Sequence, residues 1–126
     1  MIGAATRYLD ALVSHDPDDV PLAASCRRTE RGADTGSSGA AIREQLRSEI
    51  MHGITAYRDV RWFVDGDTVV AFYVLDAYGR SMPIAERFEI HDGEITEIEA
   101  VFELPTDPGS TVDRELTRSE GDPRRG

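Results

Sequence analysis

Up to about residue 53 the apolar residues recur every three or four positions; from residue 55 they follow an extended, two-residue period. In the first part Ile2, Ala5, Leu9, Leu12 and Val13 keep helical spacing with Tyr8 on the same stripe, which predicts a helix ending near Ser14. Asp16, Pro17, Asp18 and Asp19 read as an N-cap, a first-turn proline and two dipole-matched acids of a second helix, kept short by Pro21. CRRTERG (26–32) predicts a strand and GADTGSSG (32–39) a loop. Ser37 or Ser38 would cap a third helix, in which Ile42, Leu46 and Ile50 form an i, i+4 stripe that Gly53 ends.

Four strands follow, near 55–64, 67–76, 81–91 and 94–104, divided by DGD, AYGR and DG. TVVAFYVL (68–75) is apolar on both faces, so it predicts a central strand with helices on one side and a second subunit on the other. Residues 1–104 thus read as one domain. Residues 105–126 offer almost nothing to bury and read as a polar, mobile tail, with room for a short helix around 111–118. Helix, helix, strand, helix and a four-strand meander is an α+β order, with helices gathered on one face of a sheet that must curve around them. The space between sheet and helices is a natural small-molecule pocket.

Composition narrows the partners. With 24 acidic and 14 basic residues the formal net charge is -10, which disfavours nucleic acid and anionic membrane. No stretch approaches the roughly 20 apolar residues of a membrane-spanning helix, and the first residues lack a basic flank followed by an apolar block, so a cytoplasmic location is expected. Cys26 is the only cysteine, which excludes an internal disulfide and a cysteine-based metal motif. His15, His52 and His91 do not form a ligand set by local spacing, so no metal is expected. Every basic residue is Arg, which excludes a lysine Schiff base.

One acid breaks the apolar pattern. In MPIAERFEIH (82–91) Met82, Ile84, Glu86, Phe88 and Ile90 share a face, and Glu86 stands at the centre of that core stripe. A tight two-residue turn at Asp92-Gly93 would pair Glu86 with Glu99 and gather acids inside. A three-residue turn with a bulged Gly93 would instead pair Glu86 with Ile98 and Ile84 with Ala100. The second register keeps the interior apolar, so Ile98, Ala100 and Phe102 are expected to line the pocket while Glu97, Glu99 and Glu103 face outward.

RYLDALVSHD (7–16), GAAIRE (39–44) and ERFEIHDGEITEIEAVF (86–102), in this order and spacing, resemble the SnoaL-like and ketosteroid-isomerase-like branch of the nuclear transport factor 2-like superfamily. The resemblance covers about residues 5–104. It implies a cone-shaped, strongly curved, mostly antiparallel sheet wrapped around three N-terminal helices, a homodimer through the convex side of the sheet, and a cofactor-free enzyme acting on a hydrophobic carbonyl compound as an isomerase, cyclase or lyase. Tyr8 falls where ketosteroid isomerases place an oxyanion-hole tyrosine, Glu30 where they place the catalytic base, and Glu86 where they place a protonated carboxyl. Both carboxyls are Glu where the isomerases have Asp, and one methylene moves a carboxyl by roughly 1 Å, enough to alter proton-transfer geometry.

The same residues have plainer readings. Glu86 could be a structural acid and Tyr8 simply core. Arg28 shares parity with Glu30, so it either neutralises Glu30 and Glu86 as an internal ion pair or grips an acidic substrate group. Trp62 reads as core or pocket wall, Phe88 and Ile98 as substrate contacts, and Tyr73 and Asp76 as further candidates at the cone mouth. Limonene-epoxide-hydrolase-like members carry an Arg-x-Asp pair where this chain has Ala71 and Tyr73, which argues against their water activation, though Glu30 could serve a different hydration. A non-catalytic binding or assembly module of the same fold is the alternative from another class.

Overall fold

The computed structural model describes residues 1–103; the tail at 105–126 and its optional helix lie outside the described residues. Helix α1 (Ile2–Ser14) buries Ala5, Tyr8, Leu9, Ala11 and Leu12, and ends at His15, whose left-handed backbone (φ 64°) lets its N–H return to the Ala11 carbonyl. Helix α2 (Gly39–Arg47) starts at Ser38, which accepts a hydrogen bond from the Ala41 N–H at 3.1 Å. A Cβ at Gly39 would lie 2.4 Å from the Ala23 carbonyl oxygen. Only glycine therefore lets α2 begin so close to the sheet.

The sheet contains β1 (Leu22–Glu30), β2 (Ala33–Gly36), β3 (Ile54–Asp65), β4 (Thr68–Ala77), β5 (Arg80–His91) and β6 (Glu94–Val101). Its order is β2-β1-β6-β5-β4-β3, curved and unclosed, with β1 and β6 parallel and every other pair antiparallel. Along β4 and β5 the side chains alternate as the sequence predicts. Val69, Ala71, Tyr73 and Leu75 face the helices together with Ile84, Glu86, Phe88 and Ile90. The opposite, outer face leaves Phe63, Phe72 and Val101 exposed.

Three expectations need correction. The described residues contain two α-helices, not three. Asp16 does cap, but it caps a turn, accepting from the Asp18 N–H at 3.0 Å, because Pro17 and Pro21 leave no length for a helix between them. The helix expected to reach Gly53 stops at Ser48, whose backbone is extended (ψ 154°) and whose hydroxyl donates to the Gln45 carbonyl at 2.6 Å. The chain continues as a 3-10 segment, Glu49–Gly53, with Ile50 at 73% exposure rather than on the buried stripe. Finally, the loop expected at 32–39 contains β2, which returns from β1 through Arg31 and Gly32, both at positive φ.

Neither uniform register of the closing hairpin is present. Asp92 and Gly93 (φ 52° and 80°) make a two-residue turn pairing His91 with Glu94 and Ile90 with Ile95. Thr96 then bulges, its hydroxyl donating to the Glu89 carbonyl at 3.3 Å, and beyond it Phe88 pairs with Ile98 and Glu86 with Ala100, not with Ile98 or Glu99. The bulge switches side-chain parity midway. Ile95, Ile98 and Ala100 all turn inward while Glu97 and Glu103 are exposed and Glu99 stays on the outer face beside Arg87. The expected facing is present, but the bulge produces it.

Candidate active site

Strand pairing aligns the site. Glu30 of β1 stands opposite Ala100 of β6, Ala100 opposite Glu86 of β5, Glu86 opposite Ala71 of β4, and Ala71 opposite Trp62 of β3. With strands about 4.8 Å apart, the Cα atoms of Glu30 and Glu86 are about 10 Å apart. The small Ala100 between them leaves room that a longer side chain would fill. The neighbouring row contains Arg28, Ile98, Phe88 and Val69. It packs shut: Phe88, Ile98 and Val69 are wholly buried.

An apolar cavity of about 190 Å³ opens on the first row. The buried Tyr8, Tyr73, Glu86 and Ala100 border its inner part; the half-buried Glu30, Met51, Met82 and Phe102 and the exposed Tyr78 also line it. The structure therefore brings Tyr8, Glu30, Glu86 and Phe102 to one cavity. Arg28, Trp62, Phe88 and Ile98 do not border it. Phe88 meets the Tyr8 ring edge-on, with centroids 5.6 Å apart, and Ile98 belongs to the closed row. Trp62 is a partly buried core residue at the far end of the row. A larger open depression, about 680 Å³, lies over Phe72, Val74, Pro83 and Val101 on the outer face, away from both glutamates.

Glu86 is 3% exposed and accepts a hydrogen bond from the Tyr73 hydroxyl at 2.6 Å. Burial pushes its carboxyl up to about 7 against an ordinary value of 4.5; the Tyr73 hydrogen bond and Arg28 oppose that rise, and Glu30 adds to it. Tyr73 was expected at the cone mouth, yet it is 4% exposed and is the direct partner of Glu86. Inward parity on β4 was its legible signal. Asp76, by contrast, lies on the other parity and engages Arg58 and Ser81 outside the cavity.

Arg28 answers the question that parity posed. Among the described residues it forms no ion pair with Glu30 or Glu86. Its Nη1 donates to the Tyr8 hydroxyl at 3.1 Å, its Nε to Thr35 Oγ1 at 3.1 Å, and its Nη2 to the Thr35 carbonyl at 3.2 Å and to Gln45 Oε1. Burial works against its charge, but Tyr8, Glu30 and Glu86 outweigh burial and hold its pKa above the ordinary value. The expected ion pair is replaced by an anchored guanidinium that acts on the glutamates only through its field. Thr35 and Gln45 were not legible as anchors, because one lies on the unrecognised β2 and the other on the polar side of α2.

Tyr8 is 1% exposed, and burial, reinforced by Glu86 and Glu30 and opposed by Arg28, raises its pKa well above the phenol range. It stays protonated. Since its oxygen already accepts from Arg28, its own proton is left to donate toward the cavity. The arrangement offers one fixed donor (Tyr8), one acceptor (Glu30) and one group that exchanges its proton near neutrality (Glu86). For metals, no cluster of three or more His, Cys, Asp or Glu is present among the described residues. His15 and His52 do stack, with ring centroids 4.5 Å apart, but they gather no third ligand there.

A family model described as a domain of unknown function, DUF8021, matches residues 1–102. No curated protein matches the chain in sequence. Solved structures show the nuclear transport factor 2-like fold. One is a protein of this fold and of unknown function from Cytophaga hutchinsonii (14% identity, 79% of this chain and 87% of that one, TM-score 0.68). Another, from Kribbella flavida, is provisionally named a ketosteroid isomerase (14% identity, 89% and 84%, TM-score 0.66). A third is an LEH-like epoxide hydrolase of M. tuberculosis (22% identity, 81% and 81%, TM-score 0.63). At such identities the likeness is one of fold. No helix among the described residues is long and apolar enough to cross a membrane.

Proposed function

This chain belongs to the DUF8021 family, and we propose that it is an enzyme moving a proton beside the carbonyl of a hydrophobic small molecule, using its own side chains as acid and base. The observation carrying this reading is the convergence of Tyr8, Glu30 and Glu86 on one apolar cavity. Glu30 would take the proton from the carbon next to the carbonyl. Tyr8, polarised by the Arg28 hydrogen bond, and protonated Glu86 would donate to the oxygen as negative charge develops there. Isomerisation, cyclisation and dehydration share this step.

The test is deuterium uptake beside the carbonyl. Full-length protein is incubated in heavy water with a panel of simple cyclic ketones, and uptake is followed by proton NMR. Glu30→Gln lowers the exchange rate by about a hundredfold or more, the usual contribution of a general base. The wild-type rate falls as pH rises through about 7, where Glu86 loses its proton. Exchange unchanged in Glu30→Gln removes Glu30 from the mechanism.

A further inference from the structure

The cavity also restricts the charge and size of what enters. Among the described residues two carboxyl groups border it, Glu30 and Glu86, and no basic residue does. Arg28, the one buried cation among the described residues, is committed behind Tyr8 to Thr35 and Gln45 and does not reach the cavity surface. An incoming carboxylate or phosphate would be desolvated against two carboxyls, with no basic side chain among the described lining residues to meet it, a costly placement. The net charge of -10 repels anions before they arrive. An uncharged carbonyl compound meets none of this opposition. Its oxygen finds the Tyr8 proton, and its hydrocarbon finds Leu12, Ile54, Leu75 and Ile84.

Volume sets the second limit. About 190 Å³ lies below the roughly 300–1,000 Å³ of pockets that take drug-sized ligands. Glu86 and Tyr73, hydrogen-bonded to each other and almost fully buried, fix the inner boundary. We propose that the site selects uncharged carbonyl compounds of about one ring and rejects keto acids, carbonyl phosphates and fused polycycles. The carbonyl in this statement rests on the function proposed above; the limits on charge and size come from the lining itself.

Isothermal titration calorimetry at pH 8 with full-length protein tests it, using 4-methylcyclohexanone, 4-oxocyclohexanecarboxylate and 2-decalone. The methyl ketone binds, and the keto acid and the two-ring ketone each bind at least about tenfold more weakly, a difference calorimetry resolves readily. In Glu30→Gln and Glu86→Gln, each first shown to melt cooperatively, the penalty on the keto acid shrinks. A keto acid or decalone binding as tightly as the methyl ketone to the wild type overturns the proposal. So does an undiminished keto-acid penalty in both variants, or failure of the methyl ketone to bind. The two readings fail separately: a ketone that binds without exchanging deuterium removes the proton transfer and leaves the selectivity, whereas a keto acid that exchanges does the reverse.

Discussion

Glu86 and Glu89 lie three residues apart on β5 and differ in almost everything except their chemistry. Glu86 points into the cone, is almost fully buried, and has a single side-chain partner, the Tyr73 hydroxyl. Glu89 points outward, where it accepts from Thr68 at 2.7 Å and pairs with Arg87 at 2.7 Å. Burial raises the Glu86 pKa; hydrogen bonds from Thr68, aided by Arg87 and opposed by some desolvation, lower that of Glu89. Two arginines repeat the contrast. Arg87 spends its charge on Glu89, Glu97 and Glu99 on the outer face, while buried Arg28 meets neutral oxygens. The outer face cancels charge by pairing, and the inner face holds its cation among neutral oxygens without an ion pair.

The hardest way to break this contrast is to remove Arg28. Arg28→Ala leaves Gln45 and the Tyr8 and Thr35 oxygens without their donor and two glutamates without the nearby positive field. A loss of about 3–5 kcal/mol in urea unfolding is expected, since each buried acceptor left without its donor costs roughly 1–3 kcal/mol. A loss under 1 kcal/mol would show that the inner cation is no more costly to remove than a surface one.

Glu86→Gln acts in the opposite direction and sharpens the comparison. Because the folded-state pKa of Glu86 lies above its unfolded value, the native protein holds a proton between pH 4.5 and about 7 that the unfolded chain has released. Stability therefore declines as pH rises across that window and levels off above it, by about 3 kcal/mol at 1.36 kcal/mol per unit. Glu86→Gln removes the slope and is the more stable protein at pH 8, since the amide oxygen still accepts from Tyr73. Melting temperatures from pH 5 to 8 measure this, and a variant less stable than wild type at pH 8 contradicts it. Glu89 has the reverse sign: its lowered pKa gives stability that is present above its ordinary value and lost as pH falls.

The smallest effect belongs to the outer face. Arg87 is 31% exposed, and its three pairs are partly open to solvent. Arg87→Ala should cost about 1 kcal/mol or less, and the cost should shrink further in molar salt. A larger, salt-independent loss would mean that the outer network works like a buried one.

Strand parity made much of this legible in the sequence. The alternation along 68–75 and 82–90 placed Glu86 inside, and the shared parity of Cys26, Arg28 and Glu30 put those three on one face. What parity does not encode is the row on which an inward residue lies. Phe88 and Ile98 face the interior as expected, yet they occupy the closed row beside Arg28, while Glu86 and Ala100 occupy the open one. Row membership depends on register, and register here depends on Thr96, which has no composition signal of a bulge. The partners of Arg28 were hidden for a related reason: Thr35 becomes a neighbour only when a stretch of loop composition pairs with β1. Helix endings were misread where local competition decided them, as at Ser48, whose hydroxyl takes the carbonyl that would have continued the helix.

The bulge at Thr96 means that β6 is written in two reading frames. Before the splice, odd-numbered residues face the cone; after it, even-numbered ones do. Read through in the first frame, Glu97 and Glu99 would join Glu86 inside. Excising Thr96 would leave a single frame in which Ile95, Ile98 and Ala100 still face inward, at the cost of the bend. The acids of this strand are thus kept outside by the one residue that the ladder leaves unpaired.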